Sequence, residues 1–118
     1  MNKVMQHIIH EDLSVRDTLR RLDELGADAI LFITDEKNTL KSALTDGDIR
    51  RGLINGLGLE DDILNFSRKT PKFFRKCEFD FNKMRELRDK DYKIIPVLNQ
   101  KDEIVDIVNF RLQRSYLP

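Results

Sequence analysis

The sequence predicts an α+β fold of two βαββα-like units. Three observations predict it. One order of elements occurs twice, the apolar runs are too short for buried helices, and helical periodicity fills the stretches between them. The 118 residues are 40% hydrophobic, enough for a modest core. Two copies are too few for a solenoid, so the simplest geometry packs them around a pseudo-twofold axis. The expected units are residues 1–59 and 60–118, sharing one core, because about 60 residues alone bury little surface.

The elements follow in order. LSVRDTLRRLDEL (13–25) places Val15, Leu19, Leu22 and Leu25 on one side of a helix. Ser14 is its expected N-cap, with Asp17 in the first turn, and Gly26 its stop. AILFI (29–33) reads as a buried strand, DEKN (35–38) as a turn and LKSAL (40–44) as the returning strand. TDGD (45–48) opens a second helix in which Ile49, Leu53 and Ile54 can face inward. LGLEDDILNFSRK (57–69) has no long flexible tract and forms the boundary. The second copy runs through a helix at 79–91 with Phe81, Met84, Leu87 and Arg88 at helical spacing, strands at 92–99 and 103–110, and a turn at 100–103. RLQRSYLP (111–118) supplies a short terminal piece. Leu22 matches Leu87 at an offset of 65 and Thr45 matches Asn109 at 64, which a one-residue difference in a turn reconciles.

Composition excludes several classes. Lys+Arg and Asp+Glu are both 21, so no global field draws the chain to nucleic acid or to an acidic membrane. No run of about 18 apolar residues is present, and the opening MNKVMQHIIHEDLS lacks an apolar signal core. A single cysteine, Cys77, forms no internal disulfide. A cytoplasmic location is expected.

The most informative stretch is Thr45-Asp46-Gly47-Asp48-Ile49-Arg50-Arg51. It lies where a buried strand ends and a helix begins. The first helical turn has unpaired N–H groups and favours negative charge. Thr45 can donate to a ligand oxygen, Gly47 permits close approach, Asp48 can accept two bonds from a diol, and Arg50 and Arg51 can meet phosphates. The alternative is local: Thr45 or Asp46 caps the helix and Asp48 compensates its dipole.

LKSALTDGDIRRGL (40–53) resembles the cystathionine-β-synthase (CBS) domain, whose tandem pairs form the Bateman module. The family pattern is a small apolar strand leading to Thr or Ser, two residues, then Asp. Here it is Ala43-Leu44-Thr45, then Asp48, and the resemblance covers essentially the whole chain. The TDGDIRR wording is similar to pairs attached to sugar-phosphate nucleotidyltransferases and isomerases. The isomerases carry their pair at the C-terminus, whereas this sequence starts with Met1; RSYLP (114–118) also resembles the start of a nucleotidyltransferase catalytic domain. The resemblance therefore implies an N-terminal regulatory fragment, without catalysis of its own, of a nucleotidyltransferase with a downstream catalytic domain, assembling as a homodimer.

It also implies sensing of an adenosine-type nucleotide. AMP, ADP, ATP or S-adenosylmethionine would act as regulatory ligand, and no cofactor is required. The ribose-binding Asp maps onto Asp48, and the Thr that meets ribose or phosphate onto Thr45. The base would rest on Ala29, Ile30 and Leu31, with Ile8 or Ile9 nearby. Ser42 stands where the family often has glycine. The second unit keeps the apolar-proline strand at Pro96 but has Asn109, Leu112 and Asp106 at the Thr, Asp and glycine positions. Leucine cannot accept from ribose, so at most one competent site per chain, or a site with altered specificity, is expected. A nucleotide-independent dimerisation module is the alternative function.

Other motifs carry less. Arg68, Lys69, Lys72, Arg75 and Lys76 surround Phe73 and Phe74, a pattern that suits single-stranded nucleic acid or, more simply, a strand with buried phenylalanine and outward charge. A third reading has this patch meet ligand phosphates. His7 and His10 lack a third ligand, so no metal site is expected. Cys77 has no His or Asn partner that would make it a nucleophile. Asp46 with Asp48, and Glu60-Asp61-Asp62, read as solvated turn and helix-start acids rather than as Mg²⁺ ligands. No GxSxG, Walker or GxGxxG string occurs.

Overall fold

The computed structural model describes residues 4–26, 29–67, 71–76, 81–90 and 93–110. The chain divides into two compact units, Met1–Pro71 and Lys72–Pro118. That division falls later than the 59/60 expected from sequence. A 3-10 turn at Ile63–Asn65 and the following Phe66 explain it, because Ile63 and Phe66 are buried in the core of the first unit.

In the first unit, β1 (Ile8–His10) runs parallel to β2 (Ile30–Thr34), and β2 is antiparallel to β3 (Leu40–Thr45). The β1–β2 crossover is helix α1 (Val15–Leu25), as a parallel connection requires. Ser14 Oγ accepts from the Asp17 amide at 3.1 Å, and Gly26 ends the helix at φ 68°, which a side chain would resist. Val15 and Leu22 pack on Leu31, Ile33 and Leu44, with Leu19 and Leu25 partly buried around them. Leu31, Phe32, Ile33 and Thr34 are all buried, so this central strand reads as an unbroken apolar run rather than as an alternation.

Helix α2 (Asp46–Ile54) follows β3 without a loop. It begins at Asp46, two residues before the DIRRGLING segment. Asp48, Ile49 and Gly52 are its buried residues. Leu53 and Ile54, expected inward, are 42% and 76% exposed. The buried stripe is centred on Ile49 and Gly52, and Ile54 lies about 200° round from Gly52.

The second unit repeats the plan. β4 (Phe74–Arg75) is parallel to β5 (Ile94–Leu98), which is antiparallel to β6 (Ile104–Asn109), and α3 (Phe81–Asp89) precedes β5. Phe74, Met84, Leu87, Ile95, Val97, Val108 and Phe110 form its core. Phe81, expected to join them, is 67% exposed. Helical side chains lean toward the N-terminus, so a first-residue side chain projects past the helix end. Pro96 sits in the central strand, where it cannot donate to the ladder; β4 pairs only with Val97 and Leu98.

The repeat holds in register. Ile30 pairs with Thr45 and Ile94 with Asn109, both at an offset of 64, and each hairpin has an irregularity near its turn, at Ile33/Thr34 and Val97/Leu98. The parallel pairs Ile9↔Ile33 and Phe74↔Val97 place Ile9 opposite Phe74 in the repeat, an offset of 65. The one-residue difference therefore lies between helix and hairpin, and the two hairpin turns are of equal length. Residues 111–118, with Leu112, lie outside the described residues, as do Cys77, Arg68 and Lys69. Among the described residues no helix is long and apolar enough to cross a membrane.

Candidate functional site

Antiparallel pairing puts Thr45 directly beside Ile30. One end of the sheet therefore collects the Ala29–Leu31 segment, the start of α2 and the residues before β1. His7 is buried there, and its Nδ1 donates to the Ile30 carbonyl at 2.9 Å in the tautomer that carries the proton on Nδ1. Arg21 of α1 donates to the carbonyls of Met5, Gln6 and Ile8, each at 3.3 Å, and ties this N-terminal segment to the unit.

The start of α2 is a capping box. Thr45 Oγ1 accepts from the Asp48 amide at 3.2 Å, and Asp48 Oδ2 accepts from the Thr45 amide at 2.9 Å. Asp48 Oδ1 takes a third bond from Arg51 Nη2 at 2.7 Å. The carboxylate is 6% exposed while the arginine covering it is 59% exposed. A buried carboxylate needs such partners. The local alternative is therefore realised: Thr45 is the N-cap and Asp48 its reciprocal partner. As an acceptor in the cap, Thr45 keeps its hydroxyl proton to donate.

Asp46 points elsewhere. Residues two apart on a helix lie about 200° apart, so Asp46 and Asp48 do not share a face. Asp46 instead lines a depression of about 350 Å³ with Leu19, Leu22, Asp23, Gly26 and Ala29. Its ion pair with Arg50 is long, 3.8 Å, and exposed, hence weak. Gly47 carries no side chain where both arginines fold back: an added Cβ would lie 3.2 Å from Arg51 Nη1 and 3.6 Å from Arg50 Nη2.

The expected constellation thus separates in two. Thr45, Gly47, Asp48 and Arg51 form one connected group. Ala29 and Asp46 face the depression. Ile30 is half-buried between them. Leu31 belongs to the core with no exposed surface, so its side chain offers nothing to a ligand. Ile9 is likewise in the core, and Ile8, the half-buried neighbour, is the one on the other face. Ser42 is buried, and its hydroxyl is satisfied by Ser67 Oγ at 2.9 Å, which fits a small polar residue at this strand position. Sequence reasoning missed Asp23 and Gly26 of the depression, and it weighed His7 only as a metal ligand.

The remaining motifs have structural roles. Phe74 is in the second core, Arg75 stacks over Phe73 at 5.0 Å and bonds the Asn99 carbonyl and Asp102, and Lys83 donates to the Phe73 carbonyl. His10 accepts from the Asp12 amide on the surface. Among the described residues no group of three or more His, Cys, Asp or Glu is placed to hold a metal ion. Asn109, in the place of Thr45, is buried.

No protein-family model matches the chain. An uncharacterised protein of Helicobacter pylori strain J99 is 32% identical over 71 residues, which are 60% of this chain and 21% of that protein. The chain thus matches about a fifth of its curated relative's length. Among solved structures, the CBS domain pair of MJ0100 in complex with 5'-methylthioadenosine and S-adenosylmethionine is 18% identical, with a TM-score of 0.72 over 92% of this chain and 86% of that one. The fold is that of a CBS-domain pair. Two further structures agree with the CBS-pair fold. CBSX2 in complex with AMP has a TM-score of 0.72 at 19% identity, covering 94% of this chain and 87% of that one. The cytosolic domain of the Mg²⁺ channel MgtE in complex with ATP has a TM-score of 0.72 at 22% identity, covering 93% and 44%.

Proposed function

We propose that this CBS pair is a regulatory, non-catalytic module that senses an adenosine-type nucleotide at the start of α2. The observation that carries this reading is the buried Asp48 carboxylate, fixed at the strand–helix junction by Thr45 and Arg51. It supplies an oriented acceptor for ribose hydroxyls, with a cation beside it for phosphate. Support comes from three solved pairs of the same fold, which hold AMP, ATP, or S-adenosylmethionine with methylthioadenosine. Ala29 and Ile30, at the same sheet end, are the proposed contacts for the base. The second unit lacks an equivalent Thr, and one site per chain is proposed.

The module would act on an attached domain by differential binding. A ligand that fits one arrangement better shifts the population, with coupling typically about 1–3 kcal/mol. The TDGDIRR wording supports a sugar-phosphate nucleotidyltransferase as that domain, and the relative's much greater length accommodates one.

Calorimetric titration with AMP, ADP, ATP and S-adenosylmethionine tests the reading. At least one is expected to bind in the millimolar range or tighter, and Asp48→Asn, which keeps an acceptor for the Thr45 amide, is expected to weaken it at least tenfold. Absence of binding by all four at millimolar concentration overturns the nucleotide assignment. Unchanged affinity in Asp48→Asn overturns the site.

A second reading, a dimerisation module that binds no nucleotide, is favoured by the exposed Leu53, Ile54 and Leu59. Light scattering with and without nucleotide separates the two: a ligand-independent dimer with no thermal shift supports assembly alone.

A further inference from the structure

We propose that Arg51 is a latch on Asp48 and the residue by which the site prefers a phosphorylated nucleoside to a bare one; this rests on Asp48 being the ribose acceptor. The two carboxylate oxygens are held differently. Oδ2 bonds the Thr45 amide at 2.9 Å and is part of the helix start, so releasing it undoes the cap. Oδ1 bonds Arg51 Nη2 at 2.7 Å, and that partner is on a long side chain that is 59% exposed. Arg51 is thus the partner that can leave without disturbing the fold.

Gly47 leaves room for the arrangement. The Arg51 guanidinium lies across the first turn, with its Nη1 3.2 Å and Arg50 Nη2 3.6 Å from where a Gly47 Cβ would stand. Arg50 makes a 3.8 Å contact to Asp46, so two cations share one small patch beside the buried Asp48 carboxylate.

A ribose approaching Oδ1 displaces Nη2. A bare nucleoside leaves the displaced guanidinium without an anion. A nucleoside phosphate brings its own, and guanidinium pairs with phosphate through two parallel bonds. The exchange then replaces one ion pair with another, whereas the nucleoside must break one without return. Arg51 therefore opposes adenosine and favours AMP at the same position.

The test measures adenosine and AMP affinities calorimetrically on the full chain, wild type against Arg51→Gln and Arg51→Lys. Circular dichroism confirms folding. In Arg51→Gln adenosine is expected to bind more tightly and AMP more weakly, so that the AMP preference falls about tenfold or more. Arg51→Lys, which keeps the charge but loses the two-bond geometry, is expected to fall between. If AMP binding depends on Asp48 but its preference over adenosine is unchanged in Arg51→Gln, the latch is wrong and the nucleotide site stands. If wild type binds neither ligand, the latch is wrong, and the nucleotide reading falls with it only when ADP, ATP and S-adenosylmethionine also fail to bind.

Discussion

Asp35 and Asn99 hold equivalent turns in the same way. Asp35 Oδ1 accepts the amides of Lys37 and Thr39 at 2.9 and 3.0 Å, and Asn99 Oδ1 accepts those of Lys101 and Glu103 at 2.9 and 3.0 Å. Each turn also places one residue at positive φ, Asn38 at 64° and Asp102 at 62°. The Thr39 amide, with smaller help from Lys37 and Lys41, holds the Asp35 carboxyl below its ordinary value of 3.8. A lowered folded pKa gives stability that is present above the unfolded value and lost as pH falls through the folded one. Asp35→Asn, which copies the second unit, should lower the melting temperature slightly at pH 7, where the ionised carboxylate stabilises the turn, and flatten the loss of stability below about pH 4. The capping residues are more sensitive. Thr45→Ala should cost about 1 kcal/mol in denaturant unfolding. At this scale the strand–helix junction was legible, because cap chemistry and ligand chemistry ask for the same residue types there. The division of labour between the arginines was not read, although spacing contains it: Arg51 is three residues from Asp48 and Arg50 four from Asp46.

At the scale of elements, α2 and the 3-10 turn are fitted through one glycine. A Cβ on Gly52 would lie 2.2 Å from Phe66 Cδ1 and 2.6 Å from its Cε1. Gly52→Ala should therefore destabilise the first unit by about 1–3 kcal/mol despite the better helix propensity of alanine. The measurement is an equilibrium denaturation midpoint, and an unchanged or higher midpoint would contradict this packing. The same fit explains what periodicity alone misread. Ile49 and Gly52 mark the buried stripe, and the glycine gives no hydrophobic signal of its own, so Leu53 and Ile54 took its place in a count of apolar residues. The strands were easier to read. Short apolar runs flanked by DEKN and QKDE have few other conformations that bury them.

For the whole molecule, the repeat was legible but its seam was not. ILNFS (63–67) looks like a connector by composition, yet Ile63 and Phe66 are buried in the first core. A fragment of residues 1–71 should melt higher than one of residues 1–59, which loses both side chains at about 2–5 kcal/mol apiece. Thermal melts followed by circular dichroism would settle the order, and equal midpoints would contradict it. On the proposed function, AMP at a hundred times its Kd should add about 2.7 kcal/mol to the folded state, visible as a dose-dependent rise in melting temperature.

The matched registers of β2–β3 and β5–β6 have a consequence for refolding. Each outer strand presents the length and offset that the other hairpin's partner expects, so β2 with β6, or β5 with β3, is a geometrically permitted mispairing within a chain or between two chains. Two features work against it. Hairpins with short turns close in about 1–10 μs, before distant strands meet. The strands have also diverged where they would have to cross-match: Asp106 stands where β3 has the buried Ser42. A variant that makes the two hairpins more alike, such as Asp106→Ser, should therefore refold less cleanly at high protein concentration.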